Sequence, residues 1–121
     1  MNGLIRKARH GFTLVEIMIV VLIIGILLAI AVPNFIKARE SSRSKSCIAN
    51  LKQIDSATEQ WAMDNKKTNG DTVAMSALAA GGTTGYMKSA PACPSGGAYS
   101  DPETVGSKPT CTKSADGHVL P

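Results

Sequence analysis

An apolar run near the start of the chain restricts what this sequence can fold into. Across residues 12–36 nearly every side chain is apolar, and the exceptions are Thr13, Glu16, Gly25, Pro33 and Asn34. A helix needs roughly 20 mostly apolar residues to cross the hydrocarbon layer of a membrane. Residues 12–32 are just long enough, and no later segment resembles a second span. We therefore predict one membrane-spanning helix followed by a soluble part.

The charges before this run predict its orientation. Arg6, Lys7 and Arg9 precede it with no acidic residue among them. Such a basic flank stays on the cytoplasmic side, so we expect the N-terminus inside and everything beyond the span outside. Without these three basic residues the formal net charge of +4 falls to about +1, because ten basic and nine acidic residues remain. The residual charge gives little reason to expect nucleic-acid binding.

Three features occur together in residues 6–16. A short basic stretch ends at Gly11, the aromatic Phe12 begins the apolar run, and the carboxylate of Glu16 lies just inside it. In this order the segment resembles the leader of type IV prepilins and type II secretion pseudopilins. The resemblance covers about the first 60 residues well and the tail more loosely.

The resemblance implies processing and assembly. In proteins of this family a membrane-embedded prepilin peptidase cuts after the residue matching Gly11 and methylates the new amine, here on Phe12. The helix is retained and becomes the filament core. The implied partners are the prepilin peptidase and methylase, identical or related subunits, and an assembly platform in the inner membrane. The implied location is a single-pass inner-membrane protein, and then a periplasmic or extracellular filament.

Glu16 requires a partner on physical grounds. A charged side chain at the bilayer centre costs on the order of 2.5–3.5 kcal/mol by insertion scales. Cleavage before Phe12 creates a cationic amine that can sit against Glu16 of an adjacent subunit and neutralise it. Such a pair would set the assembly register more than it would add stability. The alternative is a carboxylate that reaches headgroup water at the edge of an uncleaved signal anchor.

An ordinary secretory signal is a further alternative. Residues 29–31 read Ala-Ile-Ala, an A-x-A-like site whose cleavage would release a chain beginning at Val32. The apolar run before that site is longer than the usual core of about 7–15 residues, and it contains Glu16. Both features oppose secretion by this route.

The helical pattern continues beyond the span. An apolar stripe at three- and four-residue spacing predicts an amphipathic extension over residues 37–66, carried by Cys47, Ile48, Leu51, Ile54, Ala57, Trp61 and Ala62. Pro33 lacks an amide hydrogen and is predicted to kink the helix, and Gly25 weakens it less.

The remaining residues, 67–121, are predicted to form a small head. Asn69-Gly70 signals a turn, and a short helix is expected over about residues 72–80. Candidate strands at 98–100 and 110–112, joined by a loop over 102–109, predict a hairpin. The predicted fold class is α+β and pilin-like: residues 1–11 as leader, 12–36 as membrane and filament-core helix, 37–66 as its amphipathic extension, and 67–121 as head.

A disulfide bond is expected to stabilise this head. Cys93 and Cys111 lie in the Gly- and Pro-rich tail outside the cytoplasm, where disulfides persist, so we predict a bridge between them. Closing the loop between Cys93 and Cys111 with a disulfide would stabilise the folded head by roughly 3 kcal/mol. Cys47 is expected to be a buried small apolar residue or to pair between subunits. No metal or cofactor is expected, because Cys93, Cys111 and His118 lack a fourth ligand.

No catalytic constellation is recognisable, so no enzyme is predicted. The predicted function is a structural subunit, or pilin, of a type IV pilus-like filament. The alternatives are a pseudopilin of a type II secretion system and an uncleaved signal-anchored membrane protein. Similar major pseudopilins usually carry an acidic calcium-binding loop, whereas Asp101, Glu103 and Asp116 are scattered here.

Overall fold

The computed structural model describes residues 9–83 and 85–121. In chain order the elements are helix α1 (Leu14–Asp64), strand β1 (Thr72–Val73), helix α2 (Met75–Leu78), strand β2 (Glu103–Thr104) and a 3-10 helix (Ser114–Asp116). The chain divides into two compact units, the first ending at Lys37 and the second comprising Ala38–Pro121. The fold is α+β, as predicted, with one long N-terminal helix and a small head.

A local cap explains where α1 begins. The backbone N–H of Glu16 donates to Oγ1 of Thr13 at 3.2 Å. A threonine followed three residues later by glutamate is a helix-start signature, in which the threonine side chain satisfies an otherwise unpaired amide. Helix α1 therefore starts at Leu14 rather than at Phe12. It continues through Gly25 and Pro33 and ends at Asp64. The kink expected at Pro33 and Gly25 stays a prediction.

The helical part of the first unit exposes a mostly apolar surface. All its large apolar side chains from Leu14 to Ile36 are exposed. Within α1 an 18-residue window has a mean hydropathy of 3.2 and none of it is buried, so this helix is long and apolar enough to cross a membrane. That assignment rests on length and composition alone.

In the second unit, α1 buries one stripe against the head. The buried residues of this stripe are Cys47, Leu51, Ile54, Ala57, Thr58 and Ala62. They recur at three- and four-residue spacing, which places them on one side of the helix. Ile48 and Trp61, also expected in the stripe, are half-buried.

Two groups of buried residues form the core of the head. The cysteine core comprises Cys47, Leu51, Cys93, Cys111 and Leu120. The Ile54 core comprises Ile54, Ala57, Val73, Leu78 and Met87. Tyr99 packs against both groups, so the two cores are continuous through its ring.

The described residues of the head contain one small antiparallel sheet. β1 pairs with β2, with Thr72 opposite Thr104 and Val73 opposite Glu103. The prediction of a helix starting at residue 72 is wrong there, because residues 72–73 are a strand and the short helix is only Met75–Leu78. The expected pairing of 98–100 with 110–112 is reduced to a single bridge between Tyr99 and Cys111. The expected loop supplies β2 instead.

Candidate functional site

The predicted cleavage junction lies immediately before α1. Gly11 and Phe12 are outside the helix, and the side chain of Phe12 is 81% exposed. His10, Gly11, Phe12 and Glu16 line one surface recess. The first turn of α1 thus brings Glu16 beside the junction predicted from the sequence. Its carboxylate also lies at the positive end of the helix dipole, a favourable position for an anion.

This arrangement leaves the cap of α1 intact after cleavage. Thr13 follows the predicted new N-terminus at Phe12, so its hydrogen bond to the Glu16 amide would remain in a processed chain. A free amine at Phe12 would then project from the start of an already capped helix. Among the described residues beyond its two chain neighbours, a Cβ atom added at Gly11 would meet no atom within 4 Å, so none of their packing contacts requires a glycine there.

A second group of chemically active side chains lies in the head. Its members are one thiol from α1, two thiols from separate head segments, and an imidazole near the C-terminus: Cys47, Cys93, Cys111 and His118. One ligand atom from each residue lies within 4.8 Å of all the others, and all four residues are buried. We refer to these four residues as the Cys3His cluster.

The cluster bears on two predictions. All three thiols are free in this structure, so the predicted Cys93–Cys111 bridge is not formed here and stays a prediction. The expectation of no metal depended on a missing fourth ligand, and Cys47 lies where such a ligand could come from. It was missed because it lies on the buried stripe of α1, where a cysteine has the same pattern as any small apolar residue.

His118 is held in the cluster by its neighbours. Its Nδ1 lies 3.6 Å from Sγ of Cys93. Its Nε2 points towards Glu40, 3.7 Å from Oε1, and is buried without a hydrogen-bond partner in the described residues. The preceding residue, Gly117, accepts a hydrogen bond through its carbonyl oxygen from the hydroxyl of Ser44 at 3.0 Å. Helix α1 therefore positions this histidine through contacts on both sides.

The loop carrying Cys93 folds tightly around the sulfurs. The N–H of Gly96 donates to the carbonyl oxygen of Cys93 at 3.0 Å, closing a turn. A Cβ atom at Gly97 would lie only 2.8 Å from Sγ of Cys111. Real Cβ atoms do not approach so closely, so only glycine lets this loop lie against the Cys111 sulfur.

The thiols of the cluster have different proton affinities. Burial raises the pKa of Cys47 to about 12. Burial also acts to raise the pKa of Cys93, but hydrogen bonds from the Ser95 and Gly97 amides, together with Cys47 and His118, lower it to about 7. Amide donors favour the thiolate because they stabilise its negative charge. Cys93 is therefore the thiol of this pair that ionises first.

An α+β chain with an exposed apolar helix of membrane-spanning length and a small head is typical of a membrane-anchored protein. The family model described as the prokaryotic N-terminal methylation motif matches residues 6–32. The match covers residues 6–11 of the predicted leader, the predicted cleavage junction, Glu16 and the apolar run as far as Val32.

Known proteins resemble the chain over different lengths. The type IV major pilin protein PilA of Myxococcus xanthus is 52% identical over 52 residues, which are 43% of this chain and 24% of that protein. The type II secretion system core protein G of Klebsiella michiganensis is 32% identical over 62 residues, 51% of this chain and 44% of that protein. The chain thus spans less than half the length of these two relatives.

A third relative covers nearly the whole chain. The type II secretion system core protein G of Vibrio cholerae is 30% identical over 122 aligned positions, 92% of this chain and 84% of that protein. No solved structure matches. The chain belongs to the type IV pilin and type II secretion pseudopilin family.

Proposed function

We propose that this chain is the structural subunit, a pilin, of a type IV pilus-like filament. The observation that carries the proposal is the apolar half of α1, whose large side chains from Leu14 to Ile36 are all exposed. Such a surface is stable in lipid or against other apolar helices, but not in water. A filament whose core is made of these helices covers it after the subunit leaves the membrane.

The junction beside Glu16 supports a processed subunit. Cleavage by the prepilin peptidase between Gly11 and Phe12 creates an amine at Phe12, which the same enzyme methylates. The amine of one subunit then pairs with Glu16 of a neighbour, so that neither charge remains uncompensated in the filament core. A pair of this kind disfavours wrong axial registers, because any other offset leaves a carboxylate buried without a partner.

The basic leader supports a defined route to the filament. Arg6, Lys7 and Arg9 hold the N-terminus on the cytoplasmic side, and the head lies outside. The subunit waits as a single-pass inner-membrane protein until an assembly platform adds it to a periplasmic or extracellular filament. Its partners in that filament are identical or related subunits.

A pseudopilin of a type II secretion system is the second candidate. The match to core protein G of Vibrio cholerae favours it, because 92% of this chain is aligned and the head is therefore included. The acidic side chains of the head favour a pilin. Asp101 accepts from the Met75 amide, Glu103 is buried against Ser100, and Asp116 pairs with Lys113 at 3.9 Å. Each of these three carboxylates therefore has its own partner, and they are not gathered in one calcium-binding loop.

The test is the intact mass and N-terminal sequence of the chain in sheared filaments and in membranes. A pilin is expected in the sheared fraction, beginning with methylated Phe12. A chain beginning at Met1 in membranes and missing from sheared material would contradict processing and favour a signal anchor. A chain released with Val32 as its first residue would indicate secretion.

A second experiment separates pilus from pseudopilus. Deleting the gene should remove surface filaments and leave protein export unchanged if the chain is a pilin. Loss of export with no change in filaments would favour the pseudopilin. Calcium titration of the purified chain provides an additional test. A rise in the unfolding temperature with calcium would also support the pseudopilin.

A further inference from the structure

We propose that the Cys3His cluster is a structural zinc site that fastens the head to α1. The ligands are the three sulfurs and the Nδ1 atom of the imidazole, contributed by Cys47, Cys93, Cys111 and His118. The proposal concerns the stability of the head, so it does not depend on whether the filament is a pilus or a pseudopilus.

The distances suit a tetrahedral zinc ion. Zinc binds sulfur at about 2.3 Å and imidazole nitrogen at about 2.0–2.1 Å. At tetrahedral angles two sulfur ligands lie about 3.8 Å apart, and a sulfur and a nitrogen about 3.6 Å apart. The four ligand atoms here lie within 4.8 Å of one another. Sγ of Cys93 and Nδ1 of His118 are separated by 3.6 Å. The other pairs of ligand atoms need to approach by at most about 1.2 Å, the difference between 4.8 Å and the ideal separations.

The composition and burial of the ligand set indicate a structural site. Three thiolates and one imidazole fill a tetrahedral coordination sphere and leave no position for substrate or water. The exposed fractions of the four residues range from 0% for Cys47 and His118 to 7% for Cys93. Soft thiolate ligands in tetrahedral geometry select zinc over the oxygen-preferring ions calcium and magnesium.

The surroundings of His118 support coordination through Nδ1. A histidine that binds metal through one nitrogen carries its proton on the other, which usually donates to a carboxylate or carbonyl. Here Nε2 is buried without a hydrogen-bond partner among the described residues. Oε1 of Glu40 lies 3.7 Å away, so a small side-chain shift completes a carboxylate–histidine–metal arrangement.

The loop around Cys93 holds glycine backbone close to the sulfurs. The N–H of Gly96 donates to the carbonyl oxygen of Cys93 at 3.0 Å, which closes the turn, and Gly97 lies directly against the Cys111 sulfur. Binding of Zn²⁺ to three thiolates leaves a site of net charge −1. Backbone amides close to metal-bound sulfurs offset part of such a charge.

The site links helix α1 to three separate segments of the head. Cys47 lies in α1, whereas the other three ligands come from loops and a single bridge of the head. Small domains rarely obtain enough stability from apolar burial alone and use disulfides or metals as additional links. A Cys93–Cys111 disulfide would consume two of the four ligands, so disulfide and zinc site exclude each other in one molecule.

The first test uses the untagged chain purified in detergent from native membranes, with helix α1 and the head intact. Its zinc content and its alkylatable thiols are measured without reductant, before and after unfolding with a chelator. The zinc site predicts about one zinc per chain and three thiols that become reactive after chelation. A chain with no zinc and a single reactive thiol has the disulfide, and that result overturns the proposal.

Variants give a second, independent test. Cys47→Ser and His118→Gln both remove a zinc ligand and should abolish bound zinc, whereas neither touches a Cys93–Cys111 bridge. Glu40→Gln should weaken zinc affinity about 10- to 100-fold, the usual effect of losing a partner of a metal-bound histidine. Glu59→Gln is the matched control, because Glu59 is an exposed carboxylate on the same helix, and it should bind zinc normally.

A spectroscopic measurement covers the case in which these variants fail to fold. The unaltered full-length chain is stripped of metal under reducing conditions and titrated with cobalt. Tetrahedral thiolate coordination predicts a sulfur-to-cobalt charge-transfer band together with intense visible bands, saturating at about one equivalent and displaced by zinc. A titration that yields no such bands overturns the proposal.

Discussion

The side-chain nitrogen of Asn50 donates a hydrogen bond to the phenolic oxygen of Tyr99 at 3.0 Å. The same nitrogen donates to the carbonyl oxygen of Ala92 at 3.1 Å, immediately before Cys93. Tyr99 in turn forms an isolated antiparallel β-bridge with Cys111 through the backbone. One side chain of α1 therefore holds both head segments that carry cysteines, which makes Asn50 a link between the helix and the Cys3His cluster.

Asn50→Ala should destabilise the head by about 1–3 kcal/mol, because it removes two hydrogen bonds worth roughly 0.5–1.5 kcal/mol each. Tyr99→Phe removes only one of them and leaves the bond to Ala92, so its effect should be about half as large. Chemical unfolding followed by the fluorescence of the single tryptophan, Trp61, measures both. Gln53→Ala, at an exposed position of α1, is the control. Equal losses for Asn50→Ala and Tyr99→Phe would contradict the double role of Asn50.

Leu51→Ala should cost about 2–5 kcal/mol, as truncations of buried leucine do. Leu51 is fully buried in the cysteine core, and its removal leaves a cavity between α1 and the head. Met63→Ala is the matched control, because Met63 is on the same helix but 71% exposed; its effect should stay within about 0.5 kcal/mol. Similar unfolding midpoints for the two variants would show that the head does not pack on α1 as described.

Glu103 should make head stability depend on pH. Burial raises the pKa of this carboxyl, and the charges of Asp101 and Asp55 raise it further, against the lowering effect of the Ser100 hydrogen bond. The folded chain then keeps a proton that the unfolded chain loses at about pH 4.3. The stabilising contribution is therefore full below that pH and is lost as pH rises through the higher folded-state pKa.

Glu103→Gln removes this titration while keeping an oxygen that accepts from Ser100. The variant should be more stable than the parent chain near neutral pH, and its stability should change less across the acidic range. Thermal unfolding measured at a series of pH values tests this, with Asp116→Asn at an exposed carboxylate as the control. A parent chain that gains stability as pH rises from 4 to 7, with Glu103→Gln abolishing the gain, would reverse the assigned direction.

Glu16→Gln should prevent filament assembly while leaving leader processing intact. The amide cannot neutralise the amine of a neighbouring Phe12, so processed subunits should accumulate in the membrane. Thr13→Ala is the control, because it removes only the helix cap, which is worth about 1 kcal/mol. Quantities of the chain in sheared filaments and in membranes are compared by immunoblot, and normal filament yields for Glu16→Gln would refute the register role.

The sequence by itself determined α1 and the motif that precedes it. An apolar run of membrane length and the three- and four-residue spacing from Cys47 to Ala62 are both local signals. Each depends on residues a few positions apart along one helix, so no distant contact is needed to read it. Only the exact ends of the helix differed from the prediction, by a few residues.

The tertiary structure alone decided the arrangement of the head. The pairing of Thr72–Val73 with Glu103–Thr104 and the meeting of Cys47 with Cys93, Cys111 and His118 join residues far apart in the chain. Local propensities carry no information about which distant segment will satisfy a strand or complete a ligand set. Cys47 illustrates the point, since its position on the helix predicted burial, whereas only the folded head shows that it is buried among other sulfurs.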